Sequence, residues 1–529
     1  WTLFEGSSYV DSYDPSVIRS MEDPTTTNLV PPEFVEANSV CSSTFPNFGH
    51  QVDHFNWKAH AHKKEDFGAV HENSGIINKV CYLLGDDSVR SHTFAGVTVE
   101  GLGRTATAFI FHWAQRLFLT STSTFSDARG ALISVAYLYD VLAQDDWDFT
   151  AAKQTERALD AVGVWYNKGN VGGSSKSTTN HRVAATEQST SSGIFRFVFF
   201  RDPILEKLGY LKKMPDSAWQ KLFIPSFSWM QHVAPTVASL GSEVGTESSD
   251  TTVFYVGPED ALRRASIRDG VVYEADRLED LQVNTISEVA AISDPEYPIY
   301  GVVHSDISSS YLYLSRFGVP SDPTTPFLYG GVEPIRVAAA NGWEFVRSWG
   351  GASMVRGDGR VWLAYRNTEP LPIDNMWTAG LYCVTSIADD EFSVGYEGTR
   401  IWAPPFCFTG DVLNPACRNS STFTDHTPTN SPLIFKYSPN NANPPRYYLT
   451  FYDADNRVTQ KERYPIVLSF AYNETTGSID NLGRVVLLKE QTNTDFPVSG
   501  GALVDSNGNL RLYYTDTDGH ISELVKHGY

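Results

Sequence analysis

Three groups of residues in this sequence have side chains suited to chemistry. The first is His71, in the run Gly68-Ala-Val-His71-Glu-Asn-Ser-Gly-Ile-Ile-Asn-Lys79. Asp66 lies five residues before it, and Arg19 lies far upstream in Ile18-Arg19-Ser-Met-Glu-Asp-Pro24. Read alone, a histidine at a helix start is more often structural than catalytic. The second group is His50, His54, His60 and His62. Imidazoles gathered in a short stretch suit a transition metal, but they also serve as packed structural residues. The third is Arg511 with Glu523, twelve residues apart around Asp518-Gly519. A guanidinium and a carboxylate on neighbouring strands can bind the vicinal hydroxyls of a sugar through charge-assisted hydrogen bonds. The same pair also reads as a cross-strand salt bridge, which contributes little on a surface. No His-Glu-x-x-His and no Cys-x-x-Cys occurs in the chain. Neither a helix-borne zinc site with its own base nor a thiolate zinc site is expected, and no metal ligands are assigned.

The elements that must position these residues come from a chain of 529 residues, 41% hydrophobic and 13% aromatic. That is ample for packed cores and too long for one, so two or three domains are expected. The net charge of -21 disfavours a nucleic-acid or anionic-membrane partner. No apolar run is long enough to span a bilayer. No signal peptide is evident, and the opening Trp1 suggests a processed or trimmed product. The sequons Asn419-Ser-Ser and Asn473-Glu-Thr permit glycosylation of a secreted, extracellular protein. Of the five cysteines, Cys407 with Cys417 and Cys41 with Cys81 are candidate pairs, leaving Cys383; buried free thiols are the alternative.

The hydrophobic pattern changes near residue 168. Before it, Ile76, Val80, Leu83 and Leu84 share a helical face, and Ala106, Phe109, Trp113 and Leu117 repeat the spacing. Ser126 is a candidate N-cap for a third helix with Ala128, Leu132, Val135 and Leu138, and Thr150 for a fourth with Leu159 and Val162. Residues 1–70 read as an irregular wrap. The small polar stretch over 167–189 reads as a linker. From 190 to 529 the pattern is one of short strands. Ala502–Val504, Leu510–Thr515 and His520–Val525 are separated by Asn507-Gly508 and Asp518-Gly519, the dipeptides of tight hairpins. Similar units occur at Ala352–Arg366 and at Tyr447–Glu462, where Arg457–Glu462 is read as the returning strand. Looser versions start near Ile194, Thr252 and Val302. Repeated meanders, at roughly 40–60 residues each, predict a mostly antiparallel β-propeller of about six blades, with a pair of β-sandwiches as the alternative.

The run Val-His-x-Asn-Ser-Gly-Ile-Ile-Asn-Lys around His71 resembles the signature that follows the zinc site in thermolysin-like (M4) metallopeptidases. Ile18-Arg-Ser-Met-x-Asp-Pro24, Leu117–Arg129 and Ala158–Val164 continue the resemblance in order, so it covers residues 1–166. It implies the α-helical C-terminal domain of that fold. It places the oxyanion-stabilising imidazole on His71, its orienting carboxylate on Asp66, and the arginine that binds the substrate carbonyl on Arg19, with Ile18 lining the pocket. A carboxylate behind an imidazole favours imidazolium, which stabilises a tetrahedral oxyanion. The resemblance also implies that the zinc ligands belong to a preceding half that this sequence lacks. Calcium is allowed at Glu5 and Asp14, although Ser16 stands where the family usually has Asp. Asp53-His54-Phe55 resembles a structural element of the family.

Asn509–Leu524 resembles one blade of the fungal fucose-binding lectins, in which an Arg and a Glu on successive strands bind sugar hydroxyls. The resemblance puts those roles on Arg511 and Glu523. In the segment Tyr447–Glu462, Tyr448 and Gln460 align at those positions, so most blades are expected not to bind fucose. Two functions follow. One is a lectin-like propeller, binding glycans or glycoproteins, fused to an incomplete peptidase domain. The other is a processed fragment of an active secreted zinc peptidase, with its zinc half bound as a separate chain. A propeller glycosidase, needing two carboxylates in one pocket, is the weaker third. The chain purified without partners is expected not to cleave casein. Phenanthroline-sensitive cleavage by the single chain would contradict this.

Overall fold

The computed structural model describes residues 2–3, 19–24, 51–55, 66–86, 90–121, 123–143, 150–174, 183–224, 235–239, 251–257, 260–274, 285, 288–294, 297–305, 311–318, 328–367, 382–393, 398–408, 432–437, 446–454, 463–473, 478–486, 501–515 and 519–528.

The helical pattern before residue 168 produces four helices: α1 (Asp66–Gly85), α2 (Arg104–Leu117), α3 (Phe125–Ala143) and α4 (Thr150–Ala161). They share one core, in which Ile76, Val80, Leu83 and Leu84 of α1 meet Ile110, Leu132, Val135 and Leu159. The stripe expected on α2 is turned. Its buried residues are Ala106, Thr107, Ile110 and Ala114, while Trp113 is 38% and Leu117 55% exposed. Ala106 and Ala114 let the neighbouring helices approach closely, a choice that spacing alone does not make. The cap of α3 is Thr124 rather than Ser126. Its hydroxyl accepts from the Asp127 amide at 3.3 Å, and the Asp127 carboxylate accepts from the Thr124 amide at 2.8 Å. This reciprocal pair satisfies amides that the helix leaves unbonded. The amides of Ala151 and Ala152 at the start of α4 donate to Asp140 of α3, both at 2.9 Å, so the cap comes from another helix rather than from Thr150.

His54 packs on Gly163, where φ is 80° and a Cβ would stand 2.5 Å from the ring. Only glycine suits both the conformation and the contact. The neighbouring Phe55 is fully buried, and its amide donates to the Val162 carbonyl at 2.8 Å. Asp53-His54-Phe55 is thus a packing element. His50, His60 and His62 lie outside the described residues.

The strands form six four-stranded antiparallel sheets in sequence order. The first blade is Ala184–Thr190, Gly193–Arg201, Leu208–Lys213 and Gln220–Phe223. The second is Thr236–Ser239, Thr251–Val256, Leu262–Arg268 and Val271–Glu274. The third is Ala290–Ser293, Ile299–Ser305, Leu312–Gly318 and Leu328–Pro334. The fourth is Ser348–Gly357, Arg360–Asn367, Tyr382–Ala388 and Phe406–Phe408. The fifth is Leu433–Tyr437, Arg446–Ala454, Arg463–Asn473 and Ser478–Val486. The sixth is Gly501–Val504, Leu510–Thr515 and Ile521–Lys526, completed by Tyr166–Asn170 from the other end of the chain. Each blade shares an apolar cluster with the next. The clusters close in a circle, because Tyr513 and Ile521 of the sixth blade pack with Val198, Phe200 and Leu211 of the first. The fold is a six-bladed β-propeller behind an α-helical domain.

Several local expectations change. Residues 166–170, overlapping the expected linker, are a strand of the sixth blade, and the first blade begins at Ala184. In the fifth blade the described strand after Arg446–Ala454 is Arg463–Asn473, and the expected strand Arg457–Glu462 lies outside the described residues. The disulfide joins Cys383 and Cys407, which sit opposite each other on adjacent strands of the fourth blade. The expected Cys407–Cys417 pair is therefore excluded. Short sequence separation misled that expectation, since antiparallel register and not loop length sets which thiols meet. Cys81 is free, and Cys41 and Cys417 lie outside the described residues.

Burial of the His54 imidazole, with the nearby positive charge of Lys526, pushes its pKa down to about 4. An imidazole that protonates less readily folded than unfolded stabilises the fold fully above its ordinary value of 6.5 and loses that contribution as pH falls from there towards 4. Urea midpoints should therefore drop over that window, and His54→Gln should flatten the drop. An unchanged slope in the variant would refute it.

Candidate functional site

Arg511 and Glu523 come together through the register of the sixth blade. Tyr513 pairs directly with Glu523, and Arg511 lies two residues back on the same face. Arg511 Nη1 donates to Glu523 Oε1 at 2.7 Å, and Tyr513 Oη donates to the same oxygen at 3.0 Å. Arg511 Nε donates to Asp505 Oδ2, also at 2.7 Å. Sequence reading missed Asp505. Its signal was present: Asp505-Ser-Asn-Gly-Asn509 is a loop in which an aspartate caps its own turn. Asp505 Oδ1 accepts from the amides of Asn507 and Asn509 at 3.0 and 2.9 Å.

The network continues into the first blade. Arg196 Nη2 lies 3.4 Å from Asp505 Oδ2, and Arg196 Nε donates to Glu187 Oε2 at 2.9 Å. Glu187 in turn accepts from the Ser506 amide at 2.9 Å. Charges of alternating sign thus run Glu187, Arg196, Asp505, Arg511, Glu523 across the seam where the ring closes. Trp219 of the first blade meets Tyr513 edge-on, with ring centres 6.0 Å apart.

The pair is not the surface salt bridge weighed from sequence. Arg511 is 7% and Glu523 2% exposed. Burial raises the Asp505 pKa, but the hydrogen bonds from Arg511 and the Asn509 amide outweigh it and hold the carboxyl below its usual range. Burial opposes the charge on Arg511 as well, and the Glu523 carboxylate overcomes this and raises its pKa. The Tyr513 hydroxyl is pushed well up by burial and by the Glu523 charge, so it stays a donor.

The same pattern recurs in two other blades. Arg360 Nε donates to Ser386 Oγ at 2.9 Å, and Ser386 faces Trp362. Arg446 Nη2 donates to Ser469 Oγ at 2.9 Å, and Ser469 faces Tyr448. Each is an Arg-x-aromatic strand reaching across to the next, with serine where the sixth blade has Glu523. The alignment of Tyr448 and Gln460 with Arg511 and Glu523 is therefore corrected to Arg446 and Ser469. The longer hairpin of the fifth blade separates the pair by 23 residues instead of 12, which hid the match.

In the helical domain, Asp66 opens α1 and His71 lies one and a half turns along it, while Arg19 lies on the short strand Arg19–Ser20. Their side chains, and Ile18, Glu5, Asp14 and Ser16 entirely, lie outside the described residues. Among the described residues no three His, Cys, Asp or Glu side chains form a group able to hold a metal ion. No step through zinc is derived for this chain.

Residues 2–164 match the family described as the thermolysin metallopeptidase, alpha-helical domain. The first domain is a thermolysin-type helical domain. It is similar to the thermostable neutral protease NprT of Geobacillus stearothermophilus, at 41% identity over 101 residues, 19% of this chain and 17% of that protein. It is similar to bacillolysin of Bacillus cereus at 38% over 99 residues, 19% of this chain and 16% of that protein. The matched region thus spans about a sixth of these relatives. Among solved structures, a fucose-specific lectin from Aleuria aurantia aligns at 12% identity over 67% of this chain and 98% of its own, with a TM-score of 0.37. An α-L-arabinofuranosidase from Fusarium graminearum aligns at 12% over 69% of this chain and 98% of its own, with a TM-score of 0.41. The propeller assignment stands on its own sheet order and not on these alignments. No helix among the described residues is long and apolar enough to cross a membrane.

Asp505→Asn should lower the unfolding free energy by about 3 kcal/mol. That is the low end for breaking a buried ion pair, because Glu523 still faces Arg511. Guanidinium unfolding would measure it, and a change below about 1 kcal/mol would contradict the seam network.

Proposed function

We propose that the chain is a carbohydrate-binding, lectin-like propeller carried on a thermolysin-type helical domain that lacks its zinc ligands in this sequence. The observation that carries the reading is the Arg511 guanidinium, locked by Asp505 and Glu523 at a junction between blades where Trp219 meets Tyr513 edge-on. A guanidinium held in place gives directed donors to vicinal hydroxyls, and aromatic rings give the apolar contact that a pyranose needs. A monosaccharide is the ligand class, with fucose as the specific candidate suggested by the sequence resemblance. The Cys383–Cys407 disulfide and the sequon at Asn473 support a secreted protein.

A second reading is kept because the match spans only 17% of NprT. In it, the helical domain works with a separate zinc-bearing partner, and His71, Asp66 and Arg19 supply the oxyanion imidazole, its orienting carboxylate and the carbonyl-binding guanidinium. Calcium at Glu5 and Asp14 belongs to the same reading. Native mass spectrometry of material purified from its source decides between the two. An associated chain carrying His-Glu-x-x-His supports the second.

The sugar reading is tested on a glycan array with wild type, Arg511→Lys and Trp219→Ala. Lysine keeps the charge but not the paired donors. Arg511→Lys should lose about 1.5–3 kcal/mol of affinity, the scale of a charged hydrogen bond, and Trp219→Ala about 0.5–1.5 kcal/mol, the scale of an aromatic contact. Binding of no glycan by the wild type, or binding by both variants as tight as the wild type's, would remove the assignment.

A further inference from the structure

Between the third and fourth blades the chain makes an extra hairpin, Arg336–Ala339 with Gly342–Phe345. Its register sets Arg336 opposite Phe345 and Ala338 opposite Trp343, so these four residues share one face. Trp343 is 44% and Phe345 40% exposed. Their ring centres are 4.9 Å apart, and Phe345 lies 5.4 Å from the ring of Tyr311. Three rings therefore form one strip. The hairpin is fixed from its other strand. The Ala338 amide donates to the Trp402 carbonyl and the Trp402 amide to the Arg336 carbonyl, both at 2.8 Å, and the Trp402 side chain is 1% exposed.

Two arginines flank the strip. Arg336 lies 5.0 Å from the Trp343 ring centre and 5.6 Å from that of Phe345, and Arg347 lies 4.4 Å from that of Tyr311. Among the described residues no carboxylate pairs with Arg336, and its Nε is enclosed without a hydrogen-bond partner. In a chain with 62 acidic residues and a net charge of -21, a guanidinium on aromatic rings without an acidic partner is an unusual placement. An exposed tryptophan on an edge strand is also an aggregation liability that proteins normally avoid. The two features together suit a ligand with an apolar face and a negative charge.

We propose that this hairpin is a second carbohydrate-binding surface, one that takes a pyranose bearing a carboxylate. The C–H face of the ring stacks on Trp343, with Phe345 set edge-on beside it, and the carboxylate accepts from Arg336 in the two-pronged manner that guanidinium allows. An aromatic wall alone would accept any pyranose, so Arg336 supplies the selectivity for an acidic one. The surface is separate from the seam around Arg511 and does not depend on the reading given there.

The test uses the full chain on an array of uronate- and sialate-terminated glycans with their neutral counterparts. Calorimetry then compares the best acidic glycan with its methyl ester. The acid should bind, and the ester should bind at least tenfold more weakly. Trp343→Ala and Arg336→Gln should each cost at least tenfold, with thermal midpoints confirming that both variants fold. Arg336→Lys should retain more binding than Arg336→Gln. The proposal is overturned if no acidic glycan binds, if acid and ester bind alike, or if Arg336→Gln binds as well as wild type. It is also overturned if Arg511→Lys abolishes acidic-glycan binding while Arg336→Gln does not, since the sugar would then sit at the seam. Capture of a proline-rich peptide in place of any acidic glycan would count against it equally.

Discussion

One strand pairing holds this molecule together. Tyr166–Asn170 hydrogen-bonds to Ile521–Lys526, so the last blade takes its fourth strand from the chain segment that leaves α4. A propeller is stable only when its ring is closed, because each blade buries its faces against two neighbours. Here the closing strand follows the helical domain almost without a break. Ala161 ends α4, and the strand starts at Tyr166. The two domains are consequently joined by a structural requirement of the propeller and not by a free tether.

The surroundings of that strand show how the junction is made. Trp165 packs with Tyr437, Tyr448 and Leu524 between the fifth and sixth blades. Lys526 lies 5.7 Å from the ring centre of Trp165 and 5.5 Å from that of Tyr437. His527, just past the final strand, reaches Glu156 of α4 at 3.0 Å. Glu156 lies 3.3 Å from Arg129 of α3, which pairs with Asp160 at 2.6 Å. Burial raises the Asp160 pKa against the pull of Arg129, and burial lowers that of Lys526. Charges at the C-terminal end of the propeller are thus set against the helical domain. The same strand, Ile521–Lys526, carries Glu523 into the seam network. Site and closure are therefore built on one element.

This shared use makes the sixth blade different from its neighbours. Arg360 and Arg446 keep the reach across to the next strand but meet serine hydroxyls. A neutral partner fixes a guanidinium less firmly than two carboxylates do. Arg511 gains its second carboxylate from Asp505, whose turn is in turn clasped by Arg196 and Glu187 of the first blade. The most preorganised guanidinium of the three lies where the ring is sealed.

By itself the sequence determined the division into a helical and a β part, because periods of 3.6 and 2 residues are local properties of the chain. It also carried the thermolysin-type motifs, the repeated meander and the Asp358-Gly359 turn, whose φ values of 56° and 65° depend on residue type. The candidate pair Arg511 and Glu523 was legible because a short hairpin keeps register visible in spacing. Only the tertiary structure decided the rest. It chose which stripe of α2 is buried, since Ala106 and Ala114 gain their role from the helices beside them. It paired Cys383 with Cys407 through strand register across 24 residues of chain. It exposed Arg446 and Ser469 as a matching pair, which the long hairpin concealed. It brought Asp505, Arg196 and Glu187 to Arg511, and Tyr166–Asn170 to Ile521–Lys526. Those partners lie more than 300 residues apart in several cases, as with Arg196 and Asp505 at a separation of 309. No local pattern records contacts that exist only once the ring has closed.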